Sequence, residues 1–126
     1  MTNTELFVSR RNNIHLALQN AGISEILNSK SKIPDSLPCA VVEIAEETAK
    51  NPNQIKFSRT NIDFEIYLVV ESDQDDPDLV LYELKESFRE QYFELFSSDF
   101  AKITYYDSRV KGTTDVKIAL LKTENR

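Results

Sequence analysis

The stretch TNIDFEIYLVVE, Thr60 to Glu71, alternates cleanly. Ile62, Phe64, Ile66, Leu68 and Val70 fall on one side, and Asn61, Asp63, Glu65, Tyr67 and Val69 on the other. Successive side chains of extended backbone point to opposite faces, so a period of two predicts a strand with one face on a core. CAVVEIAEE, beginning at Cys39 after Pro38, is short and β-branched and predicts another strand, with Ala40, Val42 and Ile44 sharing a face. Elsewhere the period is helical. Phe7, Ile14, Leu18 and Ala21 form one stripe between Thr4 and Ala21, with Gly22 where a left-handed residue commonly ends a helix. Leu81, Leu84, Phe88, Tyr92 and Leu95 form another, with Glu83, Lys85, Glu86 and Glu90 mostly off it. That stripe predicts a helix over Pro77–Phe96, stopping at Ser97-Ser98.

The remaining segments complete the pattern. Ser24 to Pro38 reads as a surface connection, rich in Ser, Lys and Pro, whose start suggests a short helical turn. Near the end, Ile103 and Tyr105 alternate with Thr104 and Tyr106. Val116, Ile118 and Leu120 then alternate with Lys117, Ala119 and Leu121, and Gly112 between the two runs marks a hairpin turn. The order α-β-β-α-β-β predicts an α+β fold in a single domain, residues 1–126, with a mainly antiparallel sheet and its helices on one face.

Composition narrows the function. The chain carries a formal charge of −6, which disfavours DNA or anionic lipid as the main bound surface. No apolar run approaches the ~20 residues that span a bilayer, and MTNTELFVSRRNN lacks the charged and apolar regions of a signal peptide. The lone Cys39 cannot form an internal bridge, so a reducing compartment is expected.

Chemistry has few places to reside. ESDQDDPDLV puts five acidic side chains into the eight positions from Glu71 to Asp78. A calcium loop starting at Asp73 fails where Pro77, Asp78 and Leu84 replace an oxygen ligand, a glycine and a glutamate. A helix start explains the same residues: Asp76 can cap the free N–H groups, Pro77 suits the first turn, and Asp78 lies near the positive end of the dipole. One histidine, His15, and one cysteine build neither an ordinary zinc site nor a supported dyad, and two glycines cannot write a phosphate-binding loop. No catalytic, cofactor-binding or metal residue is assigned, and no cofactor is expected. Asp63 and Glu65 share a strand face roughly 6–7 Å apart, which glycoside hydrolysis could use. With Glu43 and Lys117 as neighbours, ordinary cross-strand pairing accounts for them.

The outward sheet face is less bland. Val41, Tyr67, Val69, Ala119 and Leu121 are apolar where a wet face should be polar. Such a stripe, rimmed by charge, suggests a subunit interface, and Glu65, Tyr67, Val69 and Leu121 are the candidate residues. Coverage by the first helix or by the Ser24–Pro38 loop is the competing explanation.

Taken together, LFVSRRNNIHLALQNAGI, PCAVVEIAEE, IDFEIYLVVES, DDPDLVLYELKESF and KITYYDSRVKGTTDVKIALLK follow an order and spacing that resembles the tail terminator, or tail-completion (minor tail), proteins of tailed bacteriophages and prophages. The resemblance covers nearly the whole chain and carries no residue-level motif. It implies a structural protein of the virion tail, assembled in the host bacterial cytoplasm. Copies would form a homo-oligomeric ring, typically a hexamer, that caps the tail tube protein and receives the head connector protein. DNA would pass through without specific binding, and no membrane is involved; the acidic charge suits such a passage. Two other classes compete. A small acidic inhibitor or immunity-type protein would cover a basic partner surface, and a hydrolase would act through Asp63 and Glu65.

Overall fold

A computed structural model describes residues 2–49, 60–109 and 114–123. The elements are α1 (Asn3–Asn20), β1 (Glu25–Leu27), β2 (Cys39–Ala49), β3 (Thr60–Glu71), α2 (Pro77–Phe96), β4 (Ile103–Arg109) and β5 (Asp115–Lys122). The strands form one sheet in the order β1-β2-β3-β5-β4. β1 runs parallel to β2 and the other three pairings are antiparallel. The fold is α+β, as expected. The turn expected at Gly112 and most of the polar stretch Thr48–Arg59 lie outside the described residues.

Both helices pack on the same face of the sheet. Ile14, Ala17 and Leu18 of α1 and Leu81, Phe88 and Tyr92 of α2 meet Ile62, Phe64, Ile66, Leu68 and Val70 of β3 in one cluster. Each large side chain fully buried there contributes about 1.5–3 kcal/mol. Phe7 stacks on Phe64 at 5.6 Å between ring centroids, and Tyr92 on Phe96 at 4.4 Å. Arg89 then fastens the end of α2 to the approach to β4, with both ends of its fork on Asp99, at 3.0 and 2.7 Å.

Local chemistry sets the helix ends. Thr2 caps α1 by accepting from the Glu5 N–H at 3.1 Å. At its other end Gly22 has φ +97°, while Gly22 N donates to Gln19 O and Ile23 N to Leu18 O. That bond pair closes a helix through a left-handed residue. Asp76 caps α2 through Leu79 N at 3.1 Å, and Pro77 begins the first turn, as the acidic stretch predicts. Ser97, φ 52°, ends it.

Four expectations need correction. The start of the Ser24–Pro38 segment is the parallel strand β1, not a helical turn. Three residues are too few to show a period. β5 faces the opposite way from the expectation: Leu121 pairs with Ile66 and Ala119 with Leu68, so both lie on the helix side. Leu121 is 0% exposed within that core, so it leaves the candidate interface. β5 is apolar on both sides, and only its register with β3 decides which side turns inward. Lys85 is buried among the core-facing positions of α2, whereas Leu95 is exposed. The Lys85 ammonium lies over the Tyr82 ring and pairs with Glu86, which lets the aliphatic stem lie inward. Lastly, Lys117 does not join Asp63 and Glu65. It binds Asp78 and Asp107, each at 3.1 Å, on the helix side.

Candidate functional site on the helix-free sheet face

The sheet face away from the helices carries its own apolar cluster. Cys39 and Val41 of β2, Tyr67 and Val69 of β3 and Val116 of β5 are buried in it, with Leu27, Leu37, Ile118 and Leu120 packed alongside. β3 is therefore buried on both faces over its second half. No helix supplies the cover. The segment 28–38 crosses this face as a strap, and Leu37 is its apolar contact.

Lys30 is the clasp of that strap. Its Nζ donates to the Tyr67 hydroxyl at 3.0 Å and lies 4.7 Å from the ring centroid, within cation–π range. The Lys30 backbone N–H donates to Glu43 Oε2 at 3.2 Å, and its ammonium stands 3.6 Å from Glu43 Oε1. The Tyr67 hydroxyl in turn donates to Glu65 Oε2 at 2.6 Å, and Lys122 approaches Glu65 Oε1 at 3.4 Å. The hydrogen bond from Tyr67, aided by Lys122, holds the Glu65 carboxyl below its usual range despite partial burial. Burial and the Glu65 carboxylate push the Tyr67 phenol up. The Lys30 pKa is also raised, chiefly through its bond to Tyr67. The network thus keeps Glu65 charged, which suits an ion-pair role and not proton donation.

Among the described residues, the cover between the strap and β4 is incomplete. A groove of about 180 Å³ remains, floored by Cys39, Val41, Tyr67, Val69, Val116 and Ile118. Its walls are Lys30, Lys32 and Pro34 of the strap and Tyr106, Ser108 and Arg109 of β4. Two strap cations, Lys30 and Lys32, thus stand beside an apolar floor, while the Arg109 side chain is held by Asp115 at 3.0 Å, opposite it on β5. Cys39 is a poor nucleophile here, because burial and the nearby Glu25 carboxylate push its thiol up to about 11.

Of the candidate interface residues, Glu65, Tyr67 and Val69 come together on this face and Leu121 does not. Tyr67 is 4% exposed, so the strap has taken much of the position expected for a second subunit. Sequence reasoning missed Lys30, Ile118 and Leu120. The apolar residues of β5 were visible as a stripe, but nothing local marked Lys30. The other candidate chemistry is dispersed. His15 is half-buried on α1, its imidazole pKa lowered by burial and by Arg11. Among the described residues, no three His, Cys, Asp or Glu side chains gather to hold a metal ion. None of the described helices is long and apolar enough to cross a membrane. No family model matches the chain, and no curated protein matches it.

Proposed function

We propose that this chain is a tail terminator, or tail-completion protein, of a tailed bacteriophage or prophage, a structural virion protein and not an enzyme. Its copies form a ring, a hexamer by the resemblance, which caps the tail tube and receives the head connector while DNA passes through. It works in the virion tail after assembly in the host cytoplasm, without a cofactor. One observation carries the assembly role: an apolar sheet face that the chain's own strap covers only in part, leaving a groove between that strap and the sheet-end strand β4. Partly covered apolar surface with a polar rim is what association surfaces offer. The order of elements and the acidic charge support the tail assignment.

Light scattering across a concentration series, with electron microscopy of purified tail tubes incubated with the protein, tests this reading. Rings, or tubes stopped at a defined end, are expected. Tubes that elongate unchanged in its presence would remove the assignment. A monomer binding one basic protein with steep salt dependence would point to the inhibitor class instead.

A further inference from the structure

The two edges of the sheet are finished differently. At one, β1 covers β2 only from Cys39 to Val41, and beyond it β2 slips at Ala45 and carries Glu43, Glu46 and Glu47. A short edge strand, a bulge and charges all discourage a further strand from pairing. At the other edge stands β4, with every residue after Ile103 exposed. It contains no proline or lysine and pairs with β5 without a slip. Its two charges are neutralised from β5, Asp107 by Lys117 at 3.1 Å and Arg109 by Asp115 at 3.0 Å.

The hydrogen-bond pattern fixes which backbone groups of β4 are free. Thr123 N donates to Phe64 O and Ser72 N to Asp115 O, each at 3.0 Å, so odd-numbered residues of β5 turn their backbone to β3. The even-numbered ones turn to β4, where Leu120 faces Thr104, Ile118 faces Tyr106 and Val116 faces Ser108. Ile103, Tyr105, Asp107 and Arg109 therefore direct their N–H and C=O groups away from the sheet. Among the described residues no strand lies beyond them. Tyrosines gather at the same edge. Tyr67 and Tyr92 are buried, whereas Tyr82, Tyr105 and Tyr106 are 53%, 47% and 39% exposed. Tyr105, opposite Ala119, lies on the helix side of β4, and Tyr106, opposite Ile118, on the other. Tyr82 lies under the Lys85 ammonium, which also interacts with Tyr105. Tyrosine is enriched where proteins meet.

We propose that β4 pairs antiparallel with β4 of a second copy of this chain, across a two-fold axis at Tyr106, so that two sheets become one. Tyr106 is the midpoint of the strand, so every residue of β4 finds a partner. The two Tyr106 rings meet, Thr104 lies opposite Ser108, Tyr105 opposite Asp107 and Ile103 opposite Arg109. No like charges face each other, whereas an axis one residue later would set Asp107 against itself. The strand thus complements its own copy. This contact goes beyond the ring reading and does not rest on it: a two-fold contact closes at two copies, while a ring needs a head-to-tail one.

Light scattering across a concentration series should show a reversible doubling of mass. The pairing is weak, because seven residues on each side make a small interface. Tyr105→Pro removes an outward N–H and no bond to β5, so by circular dichroism it should fold, and it should lose the doubling. Tyr106→Lys and Tyr106→Glu serve as further variants. Each alone sets like charges opposite each other and should weaken the pairing about tenfold or more, as loss of a central contact does. Mixed, they should recover dimers holding one copy of each. Tyr106→Cys should form an intermolecular disulfide under oxidised glutathione, because non-hydrogen-bonded antiparallel neighbours bring their Cα atoms to about 4.5 Å. Thr104→Cys, opposite Ser108, should not.

The inference falls if the mass of the unaltered protein never doubles into the millimolar range, or if Tyr105→Pro keeps the doubling. It falls equally if the two charged variants fail to combine, or if the two cysteine variants cross-link alike.

Discussion

Glu43 and Glu65 stand directly opposite each other on β2 and β3. Like charges so placed repel. The pairing persists because Lys30 attends Glu43, while the Tyr67 hydroxyl and Lys122 attend Glu65. What holds the two carboxylates is also what fastens the strap to the sheet, so electrostatics and covering of the apolar face are one arrangement.

Stability should fall in acid partly through Glu65. Its native pKa is lowered, first by the bond from Tyr67. The stabilisation is therefore complete above the ordinary carboxylate value and lost as the pH falls through the depressed native one. Urea midpoints from pH 7 to pH 3 should decline less steeply for Glu65→Gln than for the unaltered protein. Parallel profiles would show that Glu65 gains nothing from its partners.

Tyr67→Phe keeps the ring under the strap and removes the hydroxyl that joins Lys30 to Glu65. Hydrogen bonds to charged groups are worth about 1.5–3 kcal/mol, and a loss of that size is expected in equilibrium unfolding. A change below a few tenths would mean that water or Lys30 itself replaces the bridge.

Asp76→Ala should cost ~1 kcal/mol, the usual worth of an N-cap. Asp75→Ala, one residue earlier and exposed, should leave the urea midpoint within error. The reverse result would mean that the first turn of α2 begins elsewhere.

Ser97 occupies the left-handed region, φ 52°, at the end of α2. That conformation costs a residue with a side chain about 1–2 kcal/mol. The greater freedom of glycine in the unfolded chain offsets part of this. Ser97→Gly should raise stability by roughly 0.5–1 kcal/mol, and a lowered thermal midpoint would contradict the reading.

The Cys39 thiol, buried and pushed up to about 11, should react negligibly with Ellman's reagent at pH 8 in the native protein and fully in urea. Prompt native labelling would show that the strap lifts readily from this face.

How much of this was legible in the sequence varied with the range of the cause. Asp76, Pro77 and Gly22 act on neighbours a few residues away, and their roles could be read directly. The period of two in β3 gave its inward face correctly. It did not reveal that Tyr67 and Val69 are buried too, because their cover comes from Lys30 and Leu37, far off in the chain. β5 showed two apolar faces and no local means of choosing between them. Lys85 read as solvent-facing because charge ordinarily is, and its partners Tyr82 and Glu86 appear only once the helix is built.

The pairing of β2 with β3 slips by one residue between Ile44 and Glu46. Ala45 is thus a supernumerary residue: Ile44 lies opposite Phe64 and Glu46 opposite Asp63, with consecutive residues of β3 answering residues two apart on β2. Elsewhere in these strands, gaining or losing one residue would turn every later side chain to the wrong face. At Ala45 the chain can shorten by one and the partners from Glu46 onward stay the same, with only the local twist and aim of the paired strands altered. A change of length therefore has one tolerant position in β2, and it lies where β2 turns exposed while its partners Phe64 and Ile62 on β3 stay in the core beneath the helices.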